Sequence, residues 1–311
     1  MNKRRQVQHI TLLDGGMGRE LLRLGAPFRQ PEWSALALME APAFVKKAHE
    51  SFSAAGCDIL TTSNYAVVPF HLGEKRFFIS GAHLTAVAGQ IAQEVAAMGG
   101  CKVAGSIPPL FGSYRPDLFI AERAPEFLSI IVESLSPYVD FWLAETTSSV
   151  SEAQAVAEAL ANDDRPLWIS FTLLDGQEGQ EEAPRLRSGQ KVKCAVHCAI
   201  ELKASAILFN CSRAEVMSAA IDAAIHELTL RNVSLPVGVY ANAFPSQQID
   251  TLANSDLHDT RQDLDPLRYL DFAEAWCRRG ATIIGGCCGI GPEHIRVLRE
   301  WLQKNSGTSS A

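Results

Sequence analysis

The feature that most constrains this sequence is one pattern that repeats eight times: a short apolar run followed by a segment with helical periodicity. The runs are continuously apolar, which is typical of parallel strands buried on both faces. The predicted strands are His9–Leu13, Asp58–Thr62, Lys102–Ser106, Asp140–Ala144, Leu167–Phe171, Ala206–Asn210, Pro236–Ala241 and Ala281–Gly285. The predicted helices are Pro42–Ala55, His83–Ala97, Pro125–Leu135, Ser151–Ala161, Gln190–Leu202, Ala214–Leu228, Leu267–Arg279 and Pro292–Leu302.

Eight strands alternating with helices predict an α/β fold of the (βα)8 TIM-barrel type, with an open doubly wound sheet as the alternative. No linker or break in composition divides the chain, which favours one barrel over residues 9–304 between an N-terminal tail, 1–8, and a flexible C-terminal tail, 305–311. Long segments follow four strands: Ser63–Ser80, Ile107–Ala124, Thr172–Ser188 and Asn242–Asp263. In a barrel such segments gather at the C-terminal mouth, where active sites lie.

Composition and charge argue against several classes of protein. The formal charge of −7 disfavours nucleic acid and anionic membranes as partners, because both are polyanions. No apolar run approaches the roughly 18 residues that span a bilayer, and the start of the chain lacks the features of a secretion signal. We therefore expect a cytoplasmic protein with reduced thiols, in which grouped cysteines point to metal ligands or nucleophiles. The acidic stretch Gln177–Glu182 is interpreted as a solvated loop tip.

The strongest chemical signal is the pair Cys287 and Cys288, set among glycines at the end of the eighth predicted strand. Two buried core thiols, a strained vicinal disulfide or a metal site would each account for it. Cys211, at the end of the sixth strand, supplies a third sulfur, because the ends of strands six and eight can converge at the mouth of a barrel. Three converging thiolates favour Zn²⁺ with an open fourth position, the mark of a catalytic site. The remaining cysteines are interpreted as small buried hydrophobes: Cys57, Cys101, Cys194, Cys198 and Cys277.

A Zn²⁺ ion held by three thiolates carries a net negative charge, which favours holding a fourth sulfur as a reactive thiolate. The predicted chemistry is attack by a metal-bound substrate thiolate on an electrophilic carbon, with no side chain acting as acid or base. Seven motifs follow one another along the chain: Leu13-Asp14-Gly15-Gly16-Met17-Gly18, Trp33-Ser34-Ala35, Ala55-Gly56-Cys57-Asp58-Ile59-Leu60-Thr61-Thr62, Val103-Ala104-Gly105-Ser106, Ala144-Glu145-Thr146, Asn210-Cys211 and Gly285-Gly286-Cys287-Cys288-Gly289. In this order they resemble the motifs of the homocysteine S-methyltransferase family, a family of (βα)8 barrels.

The resemblance implies Zn²⁺ on the three cysteines, with the homocysteine sulfur as fourth ligand. It further implies that Asp14 and Glu145 receive the homocysteine ammonium group, and both are predicted at strand ends that face the mouth. A turn residue and a partner of the next helix dipole are the respective alternatives. The homocysteine carboxylate would meet backbone N–H groups near Gly15 and the Ser34 hydroxyl. Asn242 matches an asparagine that can serve as an oxygen ligand when substrate is absent, and a turn asparagine is the alternative.

The expected reaction is methyl transfer from a small cationic donor to homocysteine, giving methionine. S-methylmethionine and S-adenosylmethionine are favoured as donors, because a sulfonium leaves without an acid; betaine or another donor, or another thiol acceptor, remains open. Phe244 stands where the family commonly has glycine, so the resemblance does not fix the donor. Methylcobalamin would need a separate partner protein. A non-catalytic zinc barrel and a phosphate-binding barrel are the alternatives of other classes.

Overall fold

The computed structural model describes residues 9–175, 183–245 and 261–306. Within these ranges the chain forms eight parallel strands in the order β1-β8-β7-β6-β5-β4-β3-β2. The strands are β1 Thr11–Leu12, β2 Ile59–Thr61, β3 Lys102–Ile107, β4 Phe141–Thr147, β5 Leu167–Thr172, β6 Ala206–Arg213, β7 Val237–Asn242 and β8 Ile283–Gly286. An isolated parallel bridge between Leu13 and Ile59 joins the two ends of the sheet. The predicted single-domain (βα)8 barrel is thus confirmed.

The described helices surround the sheet. They are α1 Met17–Arg23, α2 Ala35–Glu40, α3 Pro42–Ala55, α4 Pro69–Leu72, α5 Glu74–Gly99, α6 Ala124–Leu135, α7 Val150–Ala159, α8 Val192–Glu201, α9 Ala214–Leu230, α10 Pro266–Arg279 and α11 Pro292–Ser306. Several begin with proline, whose fixed φ suits the first helical turn, and α3 and α10 end at left-handed glycines. None of the described helices is long and apolar enough to cross a membrane.

The main difference from the sequence prediction concerns the segment after β2. Residues Ser63–Ser80 were expected to be loop, but the segment contains α4, and α5 begins at Glu74 rather than His83. Phe77 explains the early start, because it is fully buried against the core and stacks edge-to-face on Phe127 of α6. The packing of Phe77 against the core therefore accompanies a helix that begins about two turns earlier than predicted.

Two further predictions fall partly or wholly outside the described residues. The acidic stretch 177–182 and most of the long segment 242–263 belong to the undescribed part of the chain, as do residues 1–8 and 307–311. Helix α11 continues to Ser306, two residues past the predicted end of the barrel at 304. The long connections that are described do lie after strands, at the end of the barrel where the candidate site residues meet.

Candidate active site

Three cysteine sulfurs meet at the C-terminal ends of β6 and β8. Their Sγ atoms all lie within 4.8 Å of one another, although Cys211 is 76 residues from Cys287 in sequence. The Cys211 and Cys287 sulfurs are joined as a disulfide in this structure, with Cα atoms 5.6 Å apart, and Cys288 is a free thiol. Burial raises the pKa of Cys288 to about 11, so this thiol needs a nearby positive charge to ionise at neutral pH.

The backbone around the sulfurs is fixed by contacts from neighbouring strands. Cys211 has a left-handed φ of 49°, and the pairing of β6 with β7 shifts register beyond Asn210. The Cys287 amide donates to the Ala241 carbonyl of β7 at 2.9 Å, and the Cys288 carbonyl accepts from the Ala243 amide at 2.8 Å. β7 thus holds both cysteines that follow β8 against the end of β6.

Glycine is required where the loop after β1 passes the end of β8. A Cβ on Gly16 would lie 2.5 Å from the Cys287 carbonyl oxygen, and a Cβ on Gly286 would lie 2.2 Å from Cγ2 of Ile290. The first contact is with backbone and the second is with the fully buried side chain of Ile290, so neither neighbour can move aside easily. These two glycines therefore permit the close approach of β1 and β8. The approach brings Asp14 to the same mouth as the cysteines.

Two buried carboxylates face the same cavity as the sulfurs. Asp14 accepts hydrogen bonds from the Thr61 amide at 2.8 Å and the Thr61 hydroxyl at 3.0 Å. Glu145, at the end of β4, accepts a short hydrogen bond from the Ser106 hydroxyl of β3. Burial raises the pKa of Asp14 to about 8 and that of Glu145 to about 7, and the negative charge of Glu145 adds to the rise at Asp14. Such a pair gains its charge most readily when a cation binds between or beside the two groups.

Asn210 joins the carboxylate side of the site to the sulfur side. Its Oδ1 accepts from the Thr146 amide at 3.0 Å and from the Ser170 hydroxyl at 2.7 Å, and its Nδ2 donates to the Thr146 hydroxyl at 2.8 Å. All three side chains are fully buried. Thr146 is held at a left-handed φ of 59° next to Glu145, and Cys211 directly follows Asn210. One amide group therefore orients the ends of β4, β5 and β6.

The cavity above these groups is lined mainly by apolar and aromatic side chains. Its described lining consists of Leu13, Asp14, Gly15, Gly16, Met17, Gly18, Arg19, Trp33, Ser34, Thr61, Thr62, Ser63, Tyr65, Ser113, Tyr114, Glu145, Cys211, Tyr240, Phe244, Gly286, Cys287 and Cys288. Tyr65 and Ser113 are hydrogen-bonded to each other at 2.6 Å, and the Arg187 guanidinium lies 4.8 Å from the centroid of Tyr114. This lining suits a small amphiphilic molecule whose polar groups point toward the strand ends.

The structure brings most of the predicted site residues together. Asp14, Gly15, Ser34, Glu145 and the three cysteines line this one cavity. Asn242 lies buried at the end of β7, but it is not among the described lining residues, and its Oδ1 accepts from the Phe244 amide at 3.3 Å. The hydrogen bond within its own turn agrees with the turn interpretation, and the ligand role of Asn242 stays a prediction.

Several residues of the site were not predicted from the sequence. Thr61 and Ser106 stand in the strand-two and strand-three motifs, and polar residues at strand ends are the signal that could have found them. Arg19 directly follows the glycine-rich motif after the first predicted strand, and a cationic residue at that position is the signal that could have identified it as a site residue. Asn210 was noted only as part of Asn210-Cys211, because its bonds to β4 and β5 depend on the closed sheet.

Comparison with known proteins agrees with this geometry. The family described as homocysteine S-methyltransferase matches residues 11–302. The homocysteine S-methyltransferase of Escherichia coli K12 is 27% identical, covering 94% of this chain and 95% of the relative, and a selenocysteine methyltransferase of Astragalus bisulcatus is 25% identical, covering 98% and 95%. The crystal structure of the homocysteine methyltransferase MmuM from Escherichia coli, metallated form, has a TM-score of 0.75 at 26% identity, covering 95% of this chain and 97% of that one.

Proposed function

The chain belongs to the homocysteine S-methyltransferase family, and we propose that it transfers a methyl group from a sulfonium donor to homocysteine with the help of Zn²⁺. The observation that carries the proposal is the meeting of three cysteine sulfurs and two buried carboxylates in one cavity. Homocysteine has a thiol at one end and an ammonium group at the other. The cavity offers a sulfur-rich site and a carboxylate site for those two groups.

The donor set fits zinc. Sulfur ligands bind Zn²⁺ at about 2.3 Å in a tetrahedron, which separates the sulfurs by roughly 3.8 Å, and the three Sγ atoms already lie within 4.8 Å of one another. Cys211 and Cys287 must be reduced to serve as ligands, because only thiolates bind the metal. A bound Zn²⁺ would supply positive charge that ionises the thiols and holds the homocysteine sulfur as a nucleophilic thiolate at neutral pH.

The remaining groups position the acceptor. Asp14 and Glu145 would bind the homocysteine ammonium, which favours the ionised form of both carboxylates and offsets the cost of their burial. Ser34 and the backbone near Gly15 line the same cavity and would receive the acceptor carboxylate. Thr61 and Ser106 hold the two acidic side chains in place through their hydroxyl groups.

Methyl transfer needs alignment more than acid or base catalysis. The acceptor sulfur forms a bond to the methyl carbon while the bond between that carbon and the donor sulfonium breaks, and the electron pair leaves with the donor as a neutral thioether. No proton moves in this step, so the absence of an assigned acid is consistent with the chemistry. Aromatic side chains around the mouth, including Trp33, Tyr114 and Tyr240, exclude water and hold the two substrates close.

The test combines metal analysis with product formation. Reduced protein should contain about one Zn²⁺ per chain and form methionine from homocysteine with S-methylmethionine, S-adenosylmethionine or betaine, assayed in parallel, and the donor with the highest kcat/KM identifies the preference. Cysteine and selenocysteine assayed as acceptors decide the acceptor range. Cys288→Ala should lose both metal and turnover, whereas Cys194→Ala, which removes a cysteine of α8 outside the cavity, should keep both.

Unchanged zinc content in Cys288→Ala would contradict the ligand assignment. Full zinc content without turnover on any donor would favour a non-catalytic zinc barrel instead. The proposed function requires both measurements to fall together when Cys288 is removed, and neither to fall when Cys194 is removed.

A further inference from the structure

Arg19 gives the lining of the candidate active site a positive charge. It lies in the short helix α1, immediately after the glycine-rich loop, and lines the cavity together with Cys288 and Glu145. Its guanidinium carbon is 5.6 Å from the centroid of the Phe244 ring, which lines the cavity from the segment after β7. Among the described lining residues, Arg19 is the only arginine or lysine.

The other charged groups of the cavity are acidic. Asp14 and Glu145 lie beside the sulfurs, and bound thiolates would add further negative charge. This environment attracts the ammonium of homocysteine and the onium centre of a methyl donor, but it repels a carboxylate. S-methylmethionine, S-adenosylmethionine and betaine each carry a carboxylate as well as the onium group. A cationic contact in this cavity would therefore favour the binding of such a carboxylate.

Arginine suits that contact better than any other side chain. Its planar guanidinium presents five N–H donors that match the two oxygens of a carboxylate. The cation–π contact with Phe244 limits the orientations of the guanidinium. With the donor carboxylate held at Arg19, the onium group would lie toward the acidic side chains and the sulfurs that line the same cavity.

We propose that Arg19, oriented by Phe244, binds the carboxylate of the methyl donor and so selects donors that are amino acids or betaines. The inference rests on the proposed function, since it assigns the second substrate of the same cavity. Ser34 and the backbone near Gly15 remain the contacts for the acceptor carboxylate, so the two substrates bind through different groups.

The experiment compares two ligands that differ only at the carboxylate: S-methylmethionine and S-methylmethionine carboxamide. Their binding to reduced, zinc-loaded protein is measured by calorimetry without homocysteine, so no turnover occurs. The wild type should bind the acid about 10- to 100-fold more tightly than the amide, as expected for charge-assisted hydrogen bonds. Arg19→Gln should reduce this preference to about twofold or less, Arg19→Lys should keep part of it, and Arg23→Gln should keep all of it. Arg23 is the matched control because it is exposed on the same helix and pairs with Glu20.

Three results would overturn the inference. The first is that the wild type binds the acid and the amide equally well, and the second is that Arg19→Gln retains the full preference for the acid. The third is that Arg19→Gln raises the KM for homocysteine but not the KM for the donor. The last result would assign Arg19 to the acceptor carboxylate. The proposed function is tested separately by methionine formation. A wild type that prefers the acid but forms no methionine would support the Arg19 site and contradict the methyltransfer reaction.

Discussion

Asn210 provides the sharpest test of how the site is held together. Asn210→Ala removes the acceptor of the Thr146 amide and the Ser170 hydroxyl, together with the donor to the Thr146 hydroxyl. These groups are fully buried, so water does not replace the lost partners. A buried donor left without an acceptor costs about 1–3 kcal/mol. Since the Ser170 hydroxyl can rotate, we expect the free energy of unfolding to fall by about 2–4 kcal/mol.

The same substitution should act on the chemistry of the site. A β-branched residue in the left-handed region, such as Thr146, costs about 1–3 kcal/mol unless its surroundings hold it there. Without Asn210 the end of β4 can relax and move Glu145, while the support for the left-handed Cys211 on the other side is also weakened. We therefore expect the KM for homocysteine to rise about tenfold, which corresponds to about 1.4 kcal/mol, and zinc affinity to fall as well.

Urea unfolding, zinc titration and steady-state kinetics measure the three effects. Asn210→Asp keeps an acceptor for both donors and should lose less stability than Asn210→Ala. Arg165→Ala is the control for destabilisation alone, because Arg165 donates to the Ser136 and Val139 carbonyls near the start of β4, at the opposite end of the barrel. It should lower stability and leave the KM for homocysteine unchanged. If Asn210→Ala loses stability but keeps wild-type zinc affinity and KM, the coupling of β4 to β6 through this amide is wrong.

Three further predictions concern titratable groups. Asp14 and Glu145 must be charged to bind an ammonium group, and their pKa values are raised to about 8 and about 7, so kcat/KM for homocysteine should fall as the pH drops below about 8. Asp14→Asn should lower kcat/KM and flatten that part of the pH profile. An Asp14→Asn variant with the wild-type pH profile would refute the assignment. Between pH 4 and 8 the native state binds more protons at Asp14 and Glu145 than the unfolded chain does, so the contribution of these two groups to the free energy of unfolding decreases as the pH rises. Urea unfolding at several pH values should show a smaller decrease in the free energy of unfolding for Asp14→Asn than for the wild type. The pKa of Cys101 is lowered to about 6, chiefly by a side-chain hydrogen bond with Cys57, whereas burial raises the pKa of Cys277 to about 12. Cys101 should therefore react with iodoacetamide at pH 7 faster than Cys277, and equal rates by peptide mass spectrometry would contradict this.

The strands could be located from the sequence because each is a continuous apolar run between turn residues. β3 and β5 extend only one residue beyond their predicted ends. β4 and β6 run three residues further than predicted, to Thr147 and Arg213, and both extensions pass through a left-handed residue where the ladder shifts register. The strand propensity of the individual residues does not predict such register shifts, because the left-handed residues are held in place by partners on neighbouring strands.

The candidate site followed from the same topology. Once eight strands were counted, Cys211 and the Cys287–Cys288 pair were expected at neighbouring positions of the mouth, and the structure places their sulfurs together. The partners of the two carboxylates were not predictable, because Thr61 and Ser106 reach Asp14 and Glu145 through hydroxyl groups whose direction depends on the register between strands. Residue types at strand ends therefore predict which groups meet, whereas pairing register decides which of them bond.

Asp14, in the loop after β1, links the proposed site of the acceptor ammonium to the sulfur site. The carboxylate of Asp14 accepts a hydrogen bond from Thr61 of β2, and the backbone amide of Asp14 donates to the Ile59 carbonyl at 3.1 Å. The backbone carbonyl of Asp14 accepts from the amide of Gly286, next to Cys287, at 2.9 Å. Asp14 thus closes the barrel between β2 and β8 while presenting the carboxylate proposed for the substrate ammonium. Any movement of Asp14 on binding would be transmitted through one peptide unit to the end of β8. The distance between the proposed ammonium site and the sulfur site is therefore set by the closure of the barrel itself, although their residues are distant in sequence.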